Sequence, residues 1–172
     1  MNDSMRQDAI SRVGITIAID GPAGSGKSTV SKALAARLGI GYLDTGAMYR
    51  ALTWYCLDRG IDLANKAAVA AAANEMPLRL VSDPSDPHVW VEEREITQEI
   101  REPRIALEIK HVSTNLDVRA WMATEQRRRM MEAREQGSGM IAEGRDITTV
   151  VCPDADVRIL LLADQEARLR RR

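Results

Sequence analysis

The chain has 172 residues and a formal net charge of −1, with 24 basic and 25 acidic side chains. This length suits one domain, or a domain with a small inserted subdomain, and 45% hydrophobic residues are enough to form a core. The even charge balance argues against nucleic acid or an anionic membrane as a partner, because a basic surface usually binds them. Any anion that the protein binds must be held by a local cluster.

Cysteine usage and hydropathy indicate the compartment. Cys56 and Cys152 form no CxxC motif and are expected to be buried thiols in reducing surroundings. No apolar stretch reaches the roughly 18 residues of a membrane-spanning helix. Residues 1–13 lack the hydrophobic region of a signal peptide and are expected to form a flexible tail. We therefore expect a cytoplasmic protein without a membrane partner.

The first predicted elements alternate between strand and helix. GITIAID, residues 14–20, is β-branched and apolar on both faces, as in a central parallel strand. KSTVSKALAARLG predicts a helix that ends at Gly39, with one apolar stripe formed by Val30, Leu34 and Leu38. IGYLD predicts a second short strand. AMYRALTWYCLDRG predicts a helix that ends at Gly60, with one face formed by Met48, Leu52 and Tyr55.

The pattern changes after this second helix. NKAAVAAAANEM predicts a helix capped by Asn65 and ended by Pro77. Residues 77–101 alternate apolar and turn-forming residues, which indicates a small antiparallel sheet. Residues 105–136 are helical in pattern with a break near residues 114–115, and GMIAEG and ADVRILLLAD read as buried strands. The order predicts an α/β fold, a parallel sheet with helices on both faces and a small antiparallel insert.

A phosphate-loop motif lies between the first strand and the first helix. Residues 21–28 read GPAGSGKS and fit G-x-x-x-x-G-K-[ST] at every fixed position. Backbone N–H groups and the helix dipole would hold the phosphates of a nucleotide, while Lys27 would bind the β- and γ-phosphates and Ser28 would bind Mg²⁺. The predicted nucleotide-binding residues are Gly21, Pro22, Ala23, Gly24, Ser25, Gly26, Lys27, Ser28 and Thr29. Kinases, ATPases and switches share this loop, so it does not decide the reaction.

Two further motifs follow predicted strands. DTGAMYR carries Arg50, whose guanidinium could hold a second phosphate or could be a solvated helix arginine. IAEGRDI places Arg145 and Asp146 just beyond a strand, where residues of a parallel sheet line the ligand crevice. These two side chains could also form only a local ion pair. A run of arginines at residues 127–129 is expected to be a solvated helix face.

Together, IDGPAGSGKST, LDTGAMYR and EGRDITTVVCPDADVRILLLA resemble bacterial cytidylate kinase, from about Ile15 to the last residue. The resemblance implies a P-loop nucleoside monophosphate kinase that transfers the γ-phosphoryl group of ATP to CMP or dCMP, with Mg²⁺. It implies that Lys27 and Arg145 are catalytic residues. The residues that it implies for the acceptor nucleotide are Thr45, Arg50, Arg119, Arg145 and Asp146. We expect a monomer.

The resemblance also implies a domain organisation. Residues 14–172 would form one kinase domain, with a core at 14–45 and 137–163. The monophosphate-binding region with its insert would occupy 46–136, and a lid would start at 164–172, in a run of arginines. Family members continue beyond this point, so we expect the 172-residue chain to bind nucleotide but to transfer phosphoryl groups poorly. The alternatives are another P-loop small-substrate kinase, or a nucleotide-binding module with little turnover.

Two residues depart from the resemblance. Lys110 stands where many family members have a serine that touches cytosine, so recognition of the base at this position is an open question. Thr148 stands where they have a glycine, and its side chain is expected to restrict the backbone beside the acceptor.

Overall fold

The structure is a computed structural model that describes residues 14–164 of the chain. Within these residues the chain forms two compact units. The first comprises residues 14–44, 82–86 and 126–164, and the second comprises Thr45–Val81 and Pro87–Glu125. The predicted tail at residues 1–13 lies outside the described residues, and so does the predicted start of the lid, except for its first residue.

The elements alternate between strands and helices in the order expected. They are β1 (Thr16–Asp20), α1 (Lys27–Leu38), β2 (Gly41–Asp44), α2 (Thr45–Asp58), α3 (Lys66–Glu75), β3 (Leu78–Leu80), β4 (Val89–Val91), β5 (Arg94–Glu95), a 3₁₀ turn (Glu99–Arg101), α4 (Pro103–Ser113), α5 (Leu116–Glu135), β6 (Met140–Gly144), a π-helical turn (Ile147–Val151) and β7 (Val157–Leu160). No helix of the described chain has the length and apolar character that a membrane crossing requires.

A four-stranded parallel sheet forms the centre of the first unit, in the order β2-β6-β1-β7. All five residues of β1 are buried, so the prediction of a central strand is confirmed. In β1 and β6 Asp20 pairs with Gly144, and in β2 and β6 Asp44 pairs with Glu143. Because the strands are parallel, the loops that follow them all start at the same end of the sheet, where the strands have their carboxyl ends. The α/β fold with a parallel sheet is as predicted.

The outermost strand of this sheet differs from the prediction. β7 was expected to be a buried strand, but Val157 is 38% exposed and Leu160 is 65% exposed. β7 hydrogen-bonds to β1 alone among the described strands, since it lies at the edge of the sheet. An apolar sequence shows that a strand prefers burial but does not show where the strand lies in the sheet.

Helix α1 packs on the sheet through small side chains together with two of the three residues of the predicted stripe. Val30 is 45% exposed, whereas Ser31 and Ala35 are fully buried. Leu34 and Leu38 are partly buried against the core cluster of this unit. Small side chains allow the helix backbone to approach the strands closely, so the buried face is rotated from the one that hydrophobicity predicted. Gly39 ends the helix with φ 67°, as predicted.

The second unit contains the helix α2, which is buried along most of its length, and the predicted antiparallel insert. The insert is the three-stranded sheet β3-β4-β5. Asn65 caps α3 by accepting a hydrogen bond from the Ala68 N–H at 3.1 Å, as its position predicted. Asn115 separates α4 from α5: its side-chain oxygen accepts from the Asp117 N–H at 3.1 Å, and its amide donates to the Lys66 carbonyl at 2.8 Å.

Charged side chains of α5 hold the segment that leads into β7. Arg127 forms a bidentate pair with Asp154 at 2.6 and 2.8 Å, so the prediction of a merely solvated face was wrong for this arginine. This pairing holds the pKa of Asp154 well below its usual range. Arg134 donates to Asp156 at 2.7 Å, and Asp156 also accepts from the Thr16 backbone and hydroxyl at 2.8 Å. These contacts fix the amino end of β1.

Candidate active site

The phosphate loop has the backbone geometry of an anion cradle. A turn closes its first half, with the Ser25 N–H donating to the Pro22 carbonyl at 3.2 Å. Gly26 then caps α1 in the left-handed region, with φ 88°, which a residue with a side chain rarely adopts. No side chain caps this end of the helix, and the first turn of α1 contains no acidic residue. The N–H groups of this first turn therefore lack intrahelical acceptors and remain available to an anion.

Close packing at the start of the loop leaves a buried hydroxyl without a partner. A Cβ at Gly21 would lie 2.5 Å from the Leu161 carbonyl oxygen and 2.8 Å from Ser25 Oγ, so only glycine fits there. Ser25 is 6% exposed, and among residues 14–164 nothing hydrogen-bonds its hydroxyl. An unsatisfied buried hydroxyl costs free energy unless a ligand supplies the missing bond. This orphan group is what a loop built to receive phosphate oxygens would contain.

Lys27 is the first residue of α1, directly after Gly26. It is half-buried, and it forms no ion pair with another residue of the described chain. A cation in this position adds to the positive end of the helix dipole. The field at the loop is therefore suited to a polyanion.

The segment that carries Arg145 starts beside the phosphate loop, because β1 and β6 are neighbours in the sheet. The Gly21 N–H donates to the Gly144 carbonyl at 3.3 Å. The next residue, Arg145, is exposed and makes no ion pair within residues 14–164, so the alternative of a local pair with Asp146 is not found. The Asp146 carbonyl accepts from the N–H groups of Val150 and Val151 at 2.9 and 3.2 Å, which starts the π-helical turn. Arg145 thus follows β6 at the carboxyl end of the sheet, where the phosphate loop follows β1.

The other predicted acceptor residues belong to the second unit. Thr45 is the first residue of α2 and is 4% exposed. Arg50 lies further along α2 and is half-buried. Arg119 is exposed in the first turns of α5, where its N–H donates to the Asn115 carbonyl at 3.0 Å. The structure thus places the phosphate-loop motif, Arg145 and Asp146 in the first unit, and Thr45, Arg50 and Arg119 in the second.

A buried phenol and carboxylate beside the loop were not predicted from the sequence. Tyr42 of β2 donates to Glu143 of β6 at 2.6 Å, and both side chains are at most 3% exposed. Burial, and then the charges of Asp44 and Glu143, raises the pKa of Tyr42 far above its usual value, while a hydrogen bond with Ser28 acts in the opposite direction. The side chain of Ser28 is therefore linked to the sheet through Tyr42.

Asp20 was also missed, although it stands in the motif itself. It is the last residue of β1 and is 3% exposed. Its carboxylate accepts hydrogen bonds from the segment that follows β6, including one from the Thr148 hydroxyl at 2.5 Å. Thr148 adopts no positive φ, since Glu92 is the only non-glycine residue with positive φ among those described. A local pattern gives no sign of a partner 128 residues away.

Comparison with known proteins gives a consistent family match. The family model described as cytidylate kinase matches residues 17–172. A cytidylate kinase of Streptomyces avermitilis is 44% identical over 158 residues, which cover 92% of this chain and 67% of that protein. A cytidylate kinase of Streptomyces griseus is 43% identical over 161 residues, or 94% of this chain and 68% of that protein. A bifunctional pantoate ligase/cytidylate kinase of a Synechococcus species is 46% identical over 159 residues, or 91% of this chain and 31% of that protein.

Proposed function

The chain belongs to the cytidylate kinase family, and from this membership we propose that it transfers the γ-phosphoryl group of ATP to CMP or dCMP. One observation carries the proposal at the level of geometry. The phosphate loop and the segment with Arg145 leave adjacent parallel strands at paired positions, Asp20 and Gly144. A donor nucleotide on the loop and an anion on Arg145 would therefore lie near each other, as phosphoryl transfer requires.

The donor's phosphates would be held by the loop. The free N–H groups at the start of α1 and the orphan Ser25 hydroxyl are donors suited to phosphate oxygens. Lys27 would bind the β- and γ-phosphates and share the negative charge that develops in the transition state. The loop residues need no proton transfer for this task, because their contribution is positioning and charge neutralisation.

The acceptor is an oxyanion at neutral pH, so no strong general base is required. Arg145 offers a planar fork that fits two phosphate oxygens. The family resemblance supports Arg50 for the same phosphate, Arg119 and Asp146 for the base or the sugar, and Thr45 beside the acceptor. We propose these roles for the residues in the positions described above, with residues 14–45 and 137–163 as the core of the kinase.

Magnesium is expected with ATP, and the described residues offer it a few oxygen ligands but no dedicated ligand cluster. No cluster of three or more carboxylate, histidine or cysteine side chains that could hold a metal occurs among residues 14–164. Mg²⁺ commonly keeps several waters and binds the substrate phosphates with few protein ligands, so such a cluster is not needed. The hydroxyl of Ser28 and the carboxylates of Asp44 and Glu143, which all interact with Tyr42, are hard oxygen donors of the kind that it prefers. Bound there, the ion would neutralise phosphate charge.

The experiment that tests this function is a coupled assay for nucleoside diphosphate formation. The protein is given ATP and, in parallel, CMP, dCMP, UMP, AMP or shikimate. We expect turnover with CMP and dCMP above the others. Turnover confined to another acceptor would favour a different small-substrate kinase, and ATP binding without turnover would favour a nucleotide-binding module.

The substitution Lys27→Ala tests the role of the loop in the same assay. We expect the rate to fall on the order of 10²–10³-fold, because the backbone cradle remains but its cation is lost. Lys66→Ala, which removes an exposed lysine of the second unit, is the matched control and should retain the full rate. A Lys27→Ala protein with most of the original activity would contradict the role given to Lys27.

A further inference from the structure

The carboxylate of Asp20 accepts three hydrogen bonds from one segment of the chain. The Ile147 N–H donates to Oδ1 at 2.9 Å, and the Thr148 N–H donates to Oδ2 at 2.8 Å. The Thr148 hydroxyl donates to the same Oδ2 at 2.5 Å. Bonds to an ionised acceptor are shorter and stronger than neutral ones, so these three contacts make a stiff junction.

The hydrogen bonds of this junction involve two consecutive residues, Asp20 and Gly21, at the start of the phosphate loop. Asp20 ends β1 and Gly21 begins the phosphate loop, and the Gly21 N–H donates to the Gly144 carbonyl at 3.3 Å. Residues 144–148 are thus attached at both ends to residues 20–21. Arg145 and Asp146 lie between the two attachments. The short span leaves them little freedom to move relative to the loop.

Charge explains why this carboxylate needs such a set of donors. A buried carboxylate next to a phosphate loop would repel the nucleotide if its charge were uncompensated. The three hydrogen-bond donors compensate the charge of the Asp20 carboxylate, and two of them belong to Thr148. Thr148 therefore both stabilises this charge and holds residues 144–148 in place. A phosphate-facing role for Asp20 is unsuited to its burial, which is 3% exposure.

We propose that Asp20 and Thr148 form a positioning clamp that sets the distance between the phosphate loop and Arg145. The clamp rests on the proposed function, since its purpose is to align the acceptor's phosphate with the donor on the loop. Neither residue touches the reacting atoms. Both act through Arg145 and Asp146.

Three single substitutions on the π-helical turn test the clamp by kinetics. Thr148→Val removes the hydroxyl but keeps the shape, Thr148→Ser keeps the hydroxyl, and Thr149→Val changes an exposed neighbour. We expect Thr148→Val to raise KM for CMP on the order of tenfold, with KM for ATP nearly unchanged, because the loop retains its own turn. Thr148→Ser and Thr149→Val should keep KM for CMP close to that of the unsubstituted protein. A residue with a purely structural role would lower Tm without this difference between the two substrates.

If Thr148→Val and Thr148→Ser have the same KM for CMP, the proposal is overturned. Hydrogen exchange of the backbone amides separates this failure from failure of the proposed function. If the unsubstituted protein does not phosphorylate CMP, the proposed function fails, and the clamp is judged by exchange at Ile147 and Thr148. Both amides should exchange faster in Thr148→Val than in Thr148→Ser or Thr149→Val. Equal exchange in the three proteins would overturn the clamp.

Discussion

Arg145 combines an exposed side chain with a backbone segment that is held at both ends. It is exposed and without an ion pair among the described residues, yet its backbone is anchored on both sides. An unpaired guanidinium has no internal charge partner to release before it binds an anion. Its rigid attachment also reduces the conformational entropy lost on binding. These properties are more suitable for binding a substrate than for stabilising the fold.

The substitution Arg145→Lys is expected to act much more strongly than a conservative exchange. An ammonium cannot reproduce a bidentate contact with phosphate, so KM for CMP should rise on the order of tenfold or more. ATP affinity, measured by calorimetry, should stay nearly the same. Arg158→Lys, on the exposed strand β7, serves as the control and should alter neither value. If the two variants behave alike, Arg145 does not bind the acceptor's phosphate.

At the scale of elements, the contact between β2 and β6 connects the sheet to the phosphate loop. Tyr42 donates to Glu143 at 2.6 Å across the two strands and is linked to Ser28 on α1. Lys32, one turn further along α1, has its ammonium 5.5 Å from the centre of the Tyr42 ring. Polar groups thus hold the first turns of α1 against the sheet. They add to the contacts of the small side chains on this helix.

Tyr42 predicts a particular response to alkaline pH. The phenol of an unfolded chain ionises near pH 10, whereas burial keeps the folded Tyr42 protonated above that value. The contribution of this group is therefore complete below about pH 10 and is lost as the pH rises further, at about 1.4 kcal/mol per pH unit. Urea unfolding from pH 8 to 11 should show this loss, and Tyr42→Phe should make the curve less steep. Equal slopes would contradict the assignment.

How far the sequence alone predicts these elements depends on the range of the interaction. The phosphate loop, the caps at Gly39 and Asn65 and the break at Asn115 were predictable, because each depends on the chemistry of a few adjacent residues. The exposure of Val30 and of β7 was not, because burial depends on which element packs on which. The same limit applies to the candidate site, where the loop and Arg145 follow from motifs but the Tyr42–Glu143 pair does not.

At the scale of the whole molecule, each unit contains one buried cysteine. Cys56 lies in the second unit and Cys152 in the first, and both are free thiols with no exposed surface. Burial raises the pKa of Cys56 to about 11 and also raises the pKa of Cys152, where Asp154 adds to the effect. The two thiols can therefore report separately on the opening of the two units.

We expect neither thiol to react with a maleimide at pH 8 while the protein is folded. With a pKa of about 11, Cys56 has a thiolate fraction on the order of 10⁻³ at that pH, and burial blocks access as well. The variants Cys56→Ser and Cys152→Ser leave one thiol each, and labelling over a urea series should give an opening free energy for each unit. Rapid labelling of either thiol in the absence of urea would show that its surroundings are open in solution.

The order of strands in the parallel sheet has a consequence for synthesis on the ribosome. β1 pairs only with β6 and β7 among the described strands, and these begin at Met140 and Val157. At about 5–20 residues per second, β1 leaves the ribosome on the order of ten seconds before either partner exists. Among the described strands, the fully buried strand β1 thus has the longest interval before its partners are synthesised. Until β6 and β7 have been translated, we expect α1 or a chaperone to cover the apolar residues of β1.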